Sequence, residues 1–149
     1  DLEMKIDERR IRERDLIDGT PYSLRVGGGR NVTITMPDDG RRVTFRRRTV
    51  KLTRAGKKAL DYVATKIRNY PSIQLIRIEV HTDSYGRART NLWLSQRRAV
   101  VVRNYLVARG VSAYKLTSTG YGESRPIKSN RTAAGRVANR RVDFIVVHQ

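Results

Sequence analysis

An α/β sandwich is the fold the sequence predicts, and three observations predict it. Segments with every second residue apolar take turns along the chain with segments of helical apolar spacing. The 149 residues, 38% of them hydrophobic, are enough for one domain with a real core. The last apolar segment, Arg141–Val147, carries Phe144, Ile145, Val146 and Val147 in succession. Apolar on both faces, it reads as an interior strand covered on each side.

The elements follow in order. Asp1–Asp18 is dense in charge of both signs. Leu2, Met4 and Ile6 alternate as in a strand, while Arg9–Arg14 reads as a solvated helix, and both readings stand. Tyr22–Val26 and Val32–Met36 are β-prone and flank Gly27, Gly28, Gly29, Arg30 and Asn31, the pattern of a hairpin with a glycine-rich loop. Pro37–Gly40 is a second turn, and Val43 and Phe45 alternate in another short strand. Thr53 can cap a helix reaching Asn69, with Ala59, Leu60, Val63 and Ile67 on one face and Pro71 as its stop. Ile76, Ile78 and Val80 alternate in a strand that ends at a turn over Asp83–Gly86. A second helix is predicted from Thr90 to Arg109, with Leu92, Ala99, Val102 and Leu106 as its buried stripe and Gly110 as its terminator. Three successive valines, Val100–Val102, make that helix dependent on packing. A strand over Leu116–Thr119, a loop over Gly120–Asn130 and a short helix near Ala133–Ala138 lead into the last strand.

Composition narrows the function classes. No run of about 18 apolar residues exists, so nothing here spans a membrane as a helix. There are no cysteines, which excludes disulfides, thiolate metal sites and a cysteine nucleophile. The chain starts at Asp1 without a signal segment and is expected to be a processed protein or an excised piece whose anchor lies elsewhere. Thirty-two Lys and Arg against fourteen Asp and Glu give a net charge of +18. That surplus should attract polyanions: nucleic acid, anionic lipid headgroups or an acidic wall polymer.

Three stretches carry the most specific signal. The first is His81-Thr82-Asp83 at a strand end, followed by Gly86. The second is Asn91, Leu94-Ser95 and Arg98-Ala99, with Tyr105-Leu106 and Gly110-Val111 after them. The third is Gly120-Tyr121-Gly122-Glu123, Pro126, Asn130, Gly135-Arg136 and Asn139-Arg140-Arg141-Val142. In order and spacing these resemble the OmpA-like peptidoglycan-binding domain family, over about Val43 to Val147. The resemblance implies a βαβαβ two-layer α/β sandwich with a mixed sheet. Here it is preceded by a small N-terminal β extension, so that residues 1–40 form a charged segment plus hairpin and residues 41–149 the OmpA-like domain.

The resemblance also implies a ligand, the diaminopimelate of the peptidoglycan stem peptide, held without covalent chemistry. By motif position Asp83 matches the acid that meets the ligand amine, and Arg98 the arginine that meets its carboxylate. Thr82, Asn91, Leu94 and Arg140 match residues that line or support the pocket. The implied role is a periplasmic anchor joining an outer-membrane, flagellar-motor or secretion-system assembly to the wall, as a monomer or homodimer, with peptidoglycan as partner. Two departures stand out: Val80 where the family usually has Gly, and Arg46, Arg47 and Arg48 after Phe45, where many members have Asp.

The residues support such a site without the family. An amine and a carboxylate on one carbon call for one negative and one positive group held close together. Asp83 sits at a strand end, and Asn91, Leu94 and Arg98 share a helix face, with Arg98 roughly 10 Å along the axis from Asn91. A guanidinium can meet a carboxylate with two parallel hydrogen bonds. A hydrogen bond to a charged group contributes roughly 1.5–3 kcal/mol and an exposed ion pair about 0–1 kcal/mol, so the site must be partly desolvated. Competing readings accompany each residue. Asp83 and Arg98 could pair with each other, Asn91 could cap the helix, Leu94 could belong to the core, and of Arg140 and Arg141 only one can face the pocket.

Catalysis is not expected. His81, Asp83 and Ser84 or Ser95 are not set in a nucleophile elbow, and no His/Asp/Glu cluster has metal spacing, so neither metal nor cofactor is expected. Gly27–Gly29 lacks the lysine and helix of a phosphate loop. Arg46–Arg48 reads as a solvated strand end. The alternative function is a polyanion-binding module for lipopolysaccharide or nucleic acid. Against nucleic acid, aromatic residues are only 7% and no stacking platform is evident, so nucleic acid is not an expected partner.

Overall fold

A computed structural model describes residues 42–71 and 73–147, together with the backbone of 23–26 and 32–35. Strands β1 (Ser23–Val26), β2 (Val32–Thr35), β3 (Ile76–His81), β4 (Leu116–Gly122) and β5 (Val142–Val146) form one sheet in the order β1-β2-β5-β3-β4. β3 and β4 run parallel, and every other neighbouring pair is antiparallel. The sheet is therefore mixed, and β5 lies inside it with all five of its residues buried. Helices α1 (Arg54–Arg68), α2 (Ala88–Ala108) and α3 (Ala133–Asn139) complete the α/β fold.

Local chemistry starts and stops the helices. The Thr53 side chain accepts a hydrogen bond from Gly56 N–H, and Lys66 and Arg68 sit in the last turn of α1, where the helix dipole favours cations. The α2 helix ends at Arg109, after which Gly110 takes φ +97°, a left-handed conformation glycine adopts freely. Thr132 caps α3 by accepting from Gly135 N–H.

Ala59, Leu60, Val63 and Ile67 of α1 and Ala99, Val102 and Leu106 of α2 pack with Ile76, Ile78, Val80, Leu116, Val142, Phe144 and Val146 of the sheet. This is the layer that stabilises the fold, at roughly 25 cal/mol per Å² of apolar surface removed from water. No helix among the described residues is long and apolar enough to cross a membrane.

Three expectations need correction. Val43 and Phe45 do not form a strand. Phe45 makes an isolated bridge with Leu52, because the chain turns back between Arg46 and Lys51 through Arg46 N–H to Lys51 O (2.8 Å) and Thr49 N–H to Arg46 O (2.9 Å). β4 runs on through Gly120 to Gly122 rather than stopping at Thr119. Leu92 is not in the buried stripe of α2 but 42% exposed, and the buried positions around it are Leu94 and the polar Asn91 and Ser95. The rest of the predicted stripe holds: Ala99, Val102 and Leu106 are buried, and within the valine triplet Val102 supplies the packing while Val100 is exposed. The charged segment Asp1–Asp18, the glycine loop and the turn at Pro37–Gly40 lie outside the described residues.

Candidate ligand-binding site

The end of β3 is pinned from both sides. His81 N–H donates to Arg141 O (2.9 Å) and Thr82 N–H to Gly122 O (2.9 Å). The register against β4 shifts between Val80 and His81, a local irregularity of the kind that re-aims side chains at sites. Thr82 and Asp83 are both buried, and Thr82 Oγ1 donates to Asp83 O (2.8 Å).

The α2 helix can lie close to β4 here because β4 is glycine at the contact. A Cβ on Gly120 would stand 2.2 Å from Ser95 C and Gln96 N. Ser95 Oγ accepts from Gly122 N–H (2.8 Å) and donates to Leu92 O (2.9 Å), tying the strand end to the helix.

Asn91 holds the turn between β3 and α2. Its Nδ2 donates to Tyr85 O (2.9 Å), Asp83 O (3.3 Å) and Glu123 Oε1 (2.9 Å), and its Oδ1 accepts from Arg48 Nη1 (3.1 Å). It is fully buried inside the helix and does not cap it; Arg87 holds the cap position without a side-chain hydrogen bond. Asn91 thus supports the site from behind and does not line the cavity.

In front of this scaffold lies a cavity of about 590 Å³, whose walls include Thr82, Asp83, Leu94, Arg98 and Arg140. Five of the six residues singled out in the sequence therefore meet at one cavity, with Asn91 as its support. Leu94 is buried in the wall and lies outside the main hydrophobic cluster.

Asp83 and Arg98 share the cavity without pairing to each other. Asp83 Oδ2 accepts from Arg140 Nη1 (2.6 Å), and Oδ1 from Tyr85 N–H (2.9 Å). Arg98 donates from Nε to Thr49 O (2.8 Å), and its guanidinium lies over the Phe45 ring, 4.7 Å from the centroid. Its remaining N–H groups meet no acceptor among the described residues. Burial, and after it the nearby charges of Arg48 and Arg140, lower the Arg98 pKa to about 10 against the raising influence of Asp83, so the side chain stays charged at neutral pH.

Arg140 and Arg141 both reach the cavity wall, whereas alternation along a strand allowed for one. Arg140 precedes β5, at the end of α3, so strand alternation does not govern it. Arg141 is buried on Asp143, Nε to Oδ2 at 3.1 Å, and also donates to Arg125 O (3.0 Å). Asn139, fully buried, braces the neighbouring loop by accepting from Ile127 and Lys128 N–H and donating to Lys128 O and Asn130 Oδ1.

Sequence reasoning missed Arg48. It lines the cavity with a backbone φ of 58°, a left-handed conformation uncommon outside glycine, asparagine and aspartate. Its guanidinium faces the Tyr85 ring at 5.6 Å and Asn91 Oδ1 at 3.1 Å. The Arg46–Arg48 run was visible, but no glycine or asparagine marked the turn that redirects it.

Residues 44–140 match the OmpA family. Over 139 residues the chain is 36% identical to the protein named "Probable lipoprotein YiaD" of Escherichia coli (strain K12), covering 93% of this chain and 61% of that protein. It is 38% identical over 104 residues to the peptidoglycan-binding protein ArfA of Mycobacterium bovis, covering 70% of this chain and 32% of ArfA. The chain thus spans about three fifths or less of the length of these curated relatives. Among solved structures, the cell wall anchor of the T6SS from Pseudomonas aeruginosa superposes with a TM-score of 0.73 at 24% identity, covering 92% of this chain and 94% of that one. The periplasmic domain of Helicobacter pylori MotB gives 0.72 at 21% identity, covering 86% and 83%. These two likenesses establish the shared fold.

Proposed function

The chain belongs to the OmpA family, and from that premise we propose that it binds cell-wall peptidoglycan non-covalently, gripping the diaminopimelate end of the stem peptide. The observation that carries the reading is the pair Asp83 and Arg98. They bear opposite charge, line one cavity and leave the outer N–H groups of Arg98 without an acceptor among the described residues. Asp83 would take the ligand amine, sharing its carboxylate with Arg140, and Arg98 would take the adjacent carboxylate through its fork. Thr82 and Leu94 would wall the pocket, while Asn91 holds its loop. The binding step uses these charges and needs no bond-making.

The relative ArfA is named a peptidoglycan-binding protein and the structural neighbour a cell wall anchor, which supports the same direction. On this reading the chain acts in the periplasm and anchors an envelope protein or assembly, such as an outer-membrane protein, a flagellar motor or a secretion system. Residues 1–40 then form an extension whose hairpin adds to the β5 edge of the domain, outside the matched region. Affinity for one free peptide would be modest, and a polymeric wall with many copies would raise retention.

The test is co-sedimentation with purified peptidoglycan of two kinds. Walls with diaminopimelate present both amine and carboxylate, and walls with lysine at that position present the amine alone. Retention on the first and release from the second, at moderate salt, is the expected result. Equal retention on both would overturn the role given to Arg98.

A second reading, a polyanion-binding module for lipopolysaccharide or nucleic acid, draws on the net charge of +18. Binding to DNA or lipopolysaccharide that falls steeply with salt, with no saturable binding to peptidoglycan, would favour it.

A further inference from the structure

The cavity is far more basic than one ligand carboxylate requires. Among the described residues its walls carry seven arginines and a single acid, Asp83. Four of the arginines are committed. Arg140 is on Asp83, Arg141 on Asp143, Arg136 on Asn130 O, and Arg42 on the carbonyls of Val137 and Arg140. Arg98 and Arg48 line the cavity and keep donor groups with no acceptor among the described residues. One Arg48 amino group donates to Asn91 Oδ1 and, at 3.4 Å, to Tyr85 O, while the other faces Gly86, where an added Cβ would stand 3.0 Å away. Arg47 adds a third charge beside Tyr85, its guanidinium carbon 5.9 Å from the ring centroid.

Arg48 and Arg98 are near enough that the charge of one depresses the pKa of the other. Two guanidinium groups bordering one cavity repel each other, and Arg48 is held there on a left-handed backbone. An anion placed between the two would relieve that repulsion.

We propose that Arg48 and Arg98 form a two-carboxylate clamp: Arg98 takes the carboxylate beside the ligand amine, and Arg48 takes a second carboxylate of the same peptide. This rests on the peptidoglycan reading and adds a selectivity to it. The pocket prefers stem peptides whose second carboxylate is free over those in which it is amidated. Asn91 orients the Arg48 fork, and Gly86 leaves room for it.

The test is calorimetric titration of the full chain with a synthetic tripeptide of alanine, γ-linked glutamate and diaminopimelate. Three forms are used: all carboxylates free, the glutamate carboxylate amidated, and the C-terminal carboxylate amidated. One of the two amidations should weaken binding by about 10-fold, the scale of one charge-assisted hydrogen bond, and identifies the second carboxylate. Arg48→Gly, which suits the left-handed backbone, should bring that penalty below about 2-fold, and Arg48→Lys should restore part of it. An unchanged penalty in Arg48→Gly, or no penalty in the unsubstituted chain, would overturn the clamp while leaving the peptidoglycan reading intact. Failure of all three peptides to bind the unsubstituted chain would remove both.

Discussion

Arg140 Nη1 stands 2.6 Å from Asp83 Oδ2, so the acid proposed to receive a ligand amine also holds a cation of the protein itself. Tyr85 N–H occupies the other oxygen at 2.9 Å. A carboxylate has about four lone-pair positions, so an ammonium can join these two donors without displacing them. Arg140 is half exposed and Asp83 nearly buried, which gives the pair an orienting role more than a large part in stability.

Asp83→Asn keeps the size of the side chain and an acceptor for Tyr85 N–H but loses the charge. Its expected effect is a loss of binding to diaminopimelate peptide of roughly 10- to 100-fold, with thermal stability nearly unchanged. Arg140→Gln should weaken binding less than this, by about 10-fold or under, because the carboxylate remains. Isothermal titration of both variants beside a melting curve checks the ordering.

Arg98→Ala should abolish peptidoglycan co-sedimentation while the chain stays folded. Arg98→Lys should largely fail as well. An ammonium offers no planar fork for a carboxylate and loses both the reach to Thr49 O and the contact over Phe45. Normal sedimentation of a folded Arg98→Ala variant would refute the site.

Gly120→Ala tests the contact between β4 and α2. The added methyl would lie 2.2 Å from backbone atoms of Ser95 and Gln96, and neither element can give way without breaking the sheet or the helix. The expected cost is about 3 kcal/mol or more, read from urea denaturation. A variant as stable as the original would show that the helix is free to move away.

His81 makes stability depend on pH. It is 2% exposed, stacks on Tyr121 with centroids 5.4 Å apart, and neither ring nitrogen has a hydrogen-bond partner among the described residues. Burial, then the charges of Arg141 and Arg125, lower its pKa from 6.5 to about 3. Asp143 Oδ2 lies 3.7 Å from Nε2 but is neutralised by Arg141. Between those two values the unfolded chain binds the proton and the folded chain does not. Stability therefore falls as pH drops below about 6.5, by up to about 1.4 kcal/mol per unit. Between pH 7 and 4.5 the original chain should lose about 2–3 kcal/mol more than His81→Phe, measured by urea melts.

What was legible depended on whether burial and hydrophobicity coincide. In α1 they do: Ala59, Leu60, Val63 and Ile67 mark the buried face, and Thr53 marks its start. In β5 the run of apolar residues marked an interior strand. At the first turns of α2 they part, because the helix buries Asn91 and Ser95 to tie down loop and strand, leaving Leu92 at the margin. Counting apolar residues misplaces the stripe there. The gathering of Asp83, Arg98 and Arg140 followed motif order, whereas the Asp83–Arg140 pair joins residues 57 apart and left no local trace. Arg48 stayed hidden because its left-handed turn has no glycine to announce it.

The placement of β5 bears on how the molecule is made. The fifth strand in sequence inserts between β2 and β3, bonding antiparallel to each, so the middle of the sheet is filled by residues made after those of the other four strands. Until they emerge, β2 and β3 have no common neighbour and Arg140 has not yet reached Asp83. The sheet cannot close before all five strands have been made, so pocket formation follows the synthesis of β5 and not that of the strands before it.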